Sequence, residues 1–199
     1  MSAAWNHNIH YHGRMLRAVP ANCGLALDVG CGYGLLARKL VSRCAGVVGI
    51  DRDAACIASA RAAAAGDSRI EFVEGDVLTH RFGDRCFDFV VAVATLHHLP
   101  LRAALVRFAE LLRPGGVLAV TGLYRPETMT DFANACVAWP VSRVLRSVKR
   151  YEEMGAPVQL PRESLREIRS ACGSVLPGAE VRRLLLFRYS LVWNKPAAG

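Results

Sequence analysis

A chain of 199 residues has the length of a single domain with one substantial core. Its 52% hydrophobic and 21% charged residues are the proportions of a folded globular protein and exclude a disordered or fibrous one. The net charge of +8 is carried by basic residues spread along the chain rather than gathered in one tract, which argues against a specific nucleic acid partner.

The opening segment, Met1 to His12, carries Trp5, Asn6, His7, Asn8 and His10 where a secretory leader would have a basic end and an apolar run. No apolar run approaches the roughly 18 residues of a membrane span. The seven cysteines, at 23, 31, 44, 56, 86, 136 and 172, are odd in number and irregular in spacing. They read as reduced thiols rather than a disulfide framework or a zinc site, so the expected location is cytoplasmic.

Leu25–Val29 is a short apolar run that stops at Gly30, Gly32 and Gly34, as a strand buried on both faces would. A helix is predicted from Leu35 to Arg43 and a second strand over Val47–Ile50, ending at Asp51. An alanine-rich helix over Ala54–Ala65 is stopped by Gly66, and a third strand over Ile70–Val73 ends at Glu74, Gly75 and Asp76. Phe87–Ala94, interrupted only by Asp88, is the candidate central strand. Leu101–Leu112 predicts a helix closed by Pro114, Gly115 and Gly116, and Val117–Leu123 the next strand. Strands that alternate with helices in this way imply right-handed crossovers and a parallel sheet, an α/β fold. Past Tyr124 the rhythm changes to helices near Met129–Arg150, divided at Pro140, and Arg162–Cys172. Two β-like runs close the chain, Val181–Phe187 and Tyr189–Trp193, which require a tight hairpin or one long bent strand.

In an open parallel sheet, ligands bind at the carboxyl ends of the strands near the switch point, and the first strand-to-helix turn carries the glycines. Leu27-Asp28-Val29-Gly30-Cys31-Gly32-Tyr33-Gly34 stands at that place. A dinucleotide site requires G-x-G-x-x-G, but the sixth position counted from Gly30 is Leu35. Asp51 ends the second strand about twenty residues further on, where a carboxylate can accept hydrogen bonds from both ribose hydroxyls. Asp76 ends the third, where a carboxylate can receive an adenine amino group while the Val77 backbone meets the ring edge. Each acid taken singly also fits a helix N-cap.

An acid followed by G-x-G-x-G resembles motif I of the class I S-adenosylmethionine-dependent methyltransferases. The likeness runs from roughly Leu25 to Tyr124. Phe87-Asp88-Phe89-Val90 followed by Leu96-His97-His98-Leu99 resembles the family's motif IV, and Leu111-Leu112-Arg113-Pro114-Gly115-Gly116 the turn into its fifth strand. Arg188-Tyr189-Ser190-Leu191-Val192-Trp193 fits the antiparallel terminal strands. The resemblance implies a Rossmann-like, seven-stranded, mostly parallel sheet with an antiparallel terminal strand and helices on both faces. It also implies S-adenosylmethionine as cofactor, held by Asp28, Gly30, Gly32, Gly34, Asp51, Arg52, Asp76, Val77 and Ala94. Arg52 stands where many relatives have an apolar residue against the adenine face, and a guanidinium plane can stack there.

Fold does not supply the acceptor. Ala94-Thr95-Leu96-His97-His98 lacks the Asn/Asp-Pro-Pro-Tyr/Phe pattern of exocyclic-amine nucleic acid enzymes, and no Pro-Cys dipeptide offers the thiolate of RNA cytosine C5 enzymes. The Leu-His-His-Leu form resembles the branch of quinone-biosynthesis and natural-product methyltransferases, which implies a small organic acceptor. The chemistry is an SN2 displacement from a sulfonium, which needs alignment above all, and a base when the acceptor is a hydroxyl. His97 or His98 is the candidate base, and either also fits helix packing.

Residues 1–20 are expected to form a lid, together with Met129 to Gly155, with Tyr11 or His12 near the methionyl carboxylate, on a domain of 21–199 that carries a helical insertion at about 126–175. Trp139 and Trp193 read as packing residues. So short a lid leaves two alternatives, a modest acceptor or an open site that a homodimer partner completes. The histidines and acids show no spacing that commits three or four ligands to one ion, so no metal is expected. Two other classes stay open: a nucleic-acid or protein methyltransferase, and a cofactor-binding protein without transferase activity.

Overall fold

The computed structural model describes residues 7–84, 86–132, 159–185 and 187–197. Its strands are β1 (Cys23–Val29), β2 (Cys44–Asp51), β3 (Ile70–Glu74), β4 (Phe87–Val93), β5 (Leu112–Leu123), β6 (Glu180–Arg183) and β7 (Arg188–Asn194). Its helices are α1 (His7–His10), α2 (His12–Ala18), α3 (Leu35–Leu40), α4 (Ala54–Ala63), α5 (Leu101–Leu111) and α6 (Leu165–Val175). Among the described residues the strands form one sheet ordered β3-β2-β1-β4-β5-β7-β6, in which β7 alone runs against its neighbours. The chain returns from β3 at one edge to place β4 on the far side of β1, so the order reverses between β1 and β4. A cleft for ligand opens at such a point.

Alternation of side chains across the strands supplies two apolar layers. Leu27 and Val29 of β1 face one side and Ala26 the other, and Leu118 and Val120 of β5 oppose Val117 and Ala119. The first side is covered by α5 through Leu105 and Phe108 and by α6 through Ile168 and Cys172. The second is covered by α2, α3 and α4 through Met15, Leu40 and Ile57. Helices therefore lie on both faces, as the resemblance implies. Met15 is fully buried with its sulfur 3.6 Å from the Thr121 hydroxyl, so α2 is docked on the sheet by a side chain whose burial is worth about 2 kcal/mol.

Several boundaries differ from the sequence expectation, each for a local reason. Strand β2 begins at Cys44 rather than Val47 because Cys44 pairs with Cys23 at the foot of β1, both of them buried free thiols. Strand β5 begins at Leu112 rather than Val117. Leu112 pairs with Phe87 and Val117 with Phe89, so the turn containing Pro114 and Gly115 loops out as a bulge inside the strand. The bulge delivers Arg113 to the buried Asp88 carboxylate, which also accepts a hydrogen bond from Leu25 N at 2.7 Å. Helix α6 starts at Leu165 rather than Arg162 because Ser164 and Glu167 close a capping box, Glu167 Oε2 accepting from Ser164 N at 2.7 Å. The terminal runs are a hairpin, tied by Leu184 N donating to Arg188 O at 2.7 Å, with Phe187 in the left-handed region at φ +54°. Residues 129–132 are helical, while Trp139, Pro140 and most of the expected insertion lie outside the described residues. Among the described residues no helix is long and apolar enough to cross a membrane.

Candidate functional site

The carboxyl ends of β1, β2, β3 and β4 open onto a cavity of about 640 Å³, within the range of small-molecule sites. The glycine loop forms its floor. Gly30, Gly32 and Gly34 hold φ of +67°, +49° and +69°, where a side chain is strained. A Cβ at Gly30 would collide with Thr95, and one at Gly34 would lie 2.5 Å from the Phe72 ring, whereas one at Gly32 would meet no protein atom within 4 Å. The outer two glycines thus let the loop pack on the protein. The middle one leaves the space above it clear.

Asp51 holds this loop in place. Its Oδ2 accepts from Gly32 N at 2.8 Å and its Oδ1 from Asp53 N at 3.0 Å, a task that sequence reading missed. A carboxylate has lone pairs left for ligand hydroxyls after both bonds. The cap of α4 is Asp53, whose Oδ1 accepts from Ala55 N at 2.8 Å and Cys56 N at 3.0 Å, so Asp51 does not serve as one.

Asp76 accepts from Leu78 N at 2.9 Å, and its Oδ2 lies 3.9 Å from the Arg52 guanidinium, which is largely in solvent. Asp76, Arg52 and Val77 all line the cavity. Arg107 of α5 fixes the segment after Asp76 by donating to Val77 O at 3.1 Å and His80 O at 2.7 Å, a role with no signal in the local sequence. Asp28 lies beneath the loop, fully buried, and its Oδ2 has no hydrogen-bond partner among the described residues. Burial pushes its carboxyl up to about 7, with the Asp51 carboxylate adding to the rise and a hydrogen bond from the Ala37 backbone opposing it.

Two histidines reach the cavity wall. His12 of α2 is buried with Nδ1 3.3 Å from Lys39 Nζ; burial, and then the Lys39 charge, lower its pKa to about 4. His98 lines the wall beyond β4, its Nδ1 2.9 Å from Gln159 Oε1. The other two candidates stand elsewhere. Tyr11 does not line the cavity, its hydroxyl donating to Leu185 O at 3.4 Å because α2 turns that side chain toward the hairpin. His97 is also absent from the wall and packs its ring 4.0 Å from that of His98, with Nδ1 buried and without a partner among the described residues. Burial, then His98 and Arg188, lower its pKa to about 4. Between the two ends, Ala94 lines the cavity at φ +54°, a strained conformation for alanine, its N–H donating to Thr121 O at 2.7 Å. Among the described residues no group of three or more His, Cys, Asp or Glu is placed to hold a metal ion.

Comparison with known proteins bears on what this cavity serves. A family profile described as a methyltransferase domain matches residues 27–120, the stretch that carries the glycine loop, Asp51, Asp76 and His98. An uncharacterized methyltransferase of Mycobacterium tuberculosis is 36% identical over 198 residues, covering 98% of this chain and 100% of that protein. The chain belongs to the class I S-adenosylmethionine-dependent methyltransferases. A ubiquinone biosynthesis O-methyltransferase of Xanthomonas oryzae is 35% identical over 142 residues, covering 67% of this chain and 57% of that protein. The solved structure of the N-methyltransferase NodS from Bradyrhizobium japonicum, in complex with S-adenosylhomocysteine, matches with a TM-score of 0.66 at 18% identity. That match covers 96% of this chain and 89% of NodS and expresses a shared fold.

Two features of this methyltransferase fit the family's cofactor. The clear space over Gly32 admits a ligand against the backbone, and the unpartnered Asp28 oxygen suits a cationic one. An acid whose pKa is raised on folding is tolerated best when protonated, so its contribution to stability is full below about pH 4 and is lost as pH rises through about 7. Asp28→Asn is therefore expected to raise the melting temperature of the ligand-free protein at pH 8 by at least about 3 °C. S-adenosylmethionine binding near pH 6.5 is expected to release a proton from the parent and none from the same variant, measured by calorimetry in buffers of different ionisation enthalpy. Equal proton release from parent and variant would remove Asp28 from the cofactor's charge.

Proposed function

We propose that this methyltransferase transfers the methyl group of S-adenosylmethionine to a small organic acceptor, acting in the cytoplasm. The observation that carries this reading is the continuity of the cavity from the glycine loop and the strand-end acids to Thr95, His98 and Gln159, with Ile9 also in its wall. In this reading the acceptor end is part of the same half-open space, whose volume suits a small molecule. The O-methyltransferase relative and the free thiols of the described cysteines support the reading further.

In this reading Asp51 accepts the ribose hydroxyls, and Asp76 and Val77 meet the adenine edge beneath the Arg52 guanidinium. Asp28 answers the positive charge of the methionyl end. An ammonium can only donate, so Lys39 requires His12 Nδ1 to accept, which leaves the proton on Nε2 as a donor for the methionyl carboxylate. S-adenosylmethionine, when bound, supplies a methyl group on a sulfonium. Ala94 and Thr95, which line the cavity beside His98, would border the transferred methyl, and His98 would take the proton of a hydroxyl acceptor.

The test is methyl transfer from labelled cofactor to a panel of phenols, hydroxy acids and amines, set against transfer RNA and mixed protein. Incorporation into small molecules is expected, and incorporation confined to RNA or protein would overturn the reading. We further propose that residues 1–20 act as a lid, because α1 and α2 bring Ile9 and His12 to the cavity. Deleting residues 1–12 leaves Met15 in the core, so the truncated protein is expected to stay folded while losing about tenfold or more in cofactor affinity, roughly one charge-assisted hydrogen bond. Unchanged affinity would retire the lid.

A further inference from the structure

His98 and Gln159 are separated by 61 residues and meet at the acceptor end of the cavity. Their contact fixes more than position. A neutral imidazole carries one proton and offers one lone pair, and which nitrogen has which decides whether the ring takes a proton or donates a hydrogen bond. An amide oxygen only accepts. With Gln159 Oε1 2.9 Å from His98 Nδ1, the proton belongs on Nδ1 and the lone pair on Nε2.

We propose that Gln159 is a positioning residue that holds His98 as the Nδ1–H tautomer, so that Nε2 is ready to take the proton of a hydroxyl acceptor. The inference rests on the reading of His98 as a base and extends it to a residue outside the family's shared half. The neighbouring histidine does not duplicate the role: His97 has no place on the cavity wall, and its Nδ1 has no partner among the described residues. The balance of the step is simple. The acceptor's O–H bond breaks with its proton going to Nε2, the oxygen's electron pair forms the bond to the methyl carbon, and the carbon–sulfur bond breaks with its pair returning to sulfur. The imidazolium then gives its Nε2 proton to solvent and returns to the Nδ1–H form, because Nδ1–H stays bonded to Gln159 throughout.

The opposite arrangement, with the Gln159 amide turned so that its NH2 donates to Nδ1, would leave the proton on Nε2 and make His98 a donor. Nitrogen-15 chemical shifts of labelled histidine distinguish the two, because a protonated ring nitrogen and a bare one resonate far apart. His98 is assigned by its loss in His98→Gln. In the parent protein, with and without S-adenosylhomocysteine, the Nδ1–H form is expected to exceed the Nε2–H form about tenfold, the bias that one hydrogen bond supplies. Gln159→Leu should bring both tautomers into view, and Gln159→Glu, whose carboxylate also only accepts, should restore the bias. A dominant Nε2–H form in the parent, or an unchanged ratio in a folded Gln159→Leu, overturns the proposal. The base reading fails separately: if His98→Gln transferred methyl to a hydroxyl acceptor at the parent rate, His98 would not be the base, whatever its tautomer.

Discussion

Asp51→Ala is expected to weaken S-adenosylhomocysteine binding about hundredfold in a calorimetric titration, close to 3 kcal/mol. Hydrogen bonds from ligand hydroxyls to a carboxylate are worth about 1.5 to 3 kcal/mol each, and on the proposed assignment the substitution removes such bonds at the ribose. It also leaves Gly32 N without its acceptor, so the loop that forms the cavity floor loses its tie to the end of β2. Asp51→Asn keeps one acceptor oxygen and should fall between the two, about tenfold weaker than the parent. The fold should survive both changes, because the loop is also held by Gly30 N and Cys31 N, which donate to Ile50 O at 2.8 and 3.1 Å. Parent-like affinity in Asp51→Ala would mean that the ribose lies elsewhere, and a preference for NAD would replace the cofactor altogether.

Gly32→Ala is expected to reduce cofactor affinity at least tenfold while lowering the melting temperature by only a few degrees. The new methyl meets no protein atom within 4 Å, so its cost to folding is the strain of a left-handed alanine, about 1 to 2 kcal/mol. Its expected effect on binding is direct, because on the proposed assignment the cofactor approaches the backbone through that empty space. Gly30→Ala should behave differently, losing stability and binding together, since its methyl would collide with Thr95 in the folded protein. Comparing melting curves and titrations for the pair separates the two demands on the loop. Undiminished binding by a folded Gly32→Ala would show that the cofactor does not cross the middle glycine.

Much of this site was legible because strand ends announce themselves. Asp51 closes one apolar run, Asp28 stands one residue before the end of another and Asp76 just past a third, and parallel strands aligned in one sheet bring their ends to one edge, so the sheet itself gathers the acids. The histidine pair was legible as a pair but not as individuals: only the turn after β4 decides that His98 faces the cavity and His97 does not. The tuning partners were not legible at all. Lys39 meets His12 and Gln159 meets His98 through side chains on separate elements, and Arg107 reaches across from α5 to the loop after Asp76. Nothing periodic links such residues. Tyr11 shows the converse, an aromatic next to the right residue that helix geometry sends toward Leu185 instead. The boundary at Leu112 was missed because a bulge hides a strand start behind Pro114 and Gly115, two residues that ordinarily end an element.

Phe72 of β3 occupies the room that two glycines open. A Cβ at Gly34 would come within 2.5 Å of its ring and a Cβ at Gly49 within 2.7 Å, so one aromatic plane is braced beneath the glycine loop from a strand two places away. Three positions far apart in the chain are therefore not free to drift independently. A larger residue at Gly49 is admissible only beside a smaller one at 72, and a smaller one at 72 leaves a void under the loop unless something else grows to fill it. Lineages that change this corner must change it in concert, and the order in which the substitutions arrive decides which of them pass through a folded intermediate.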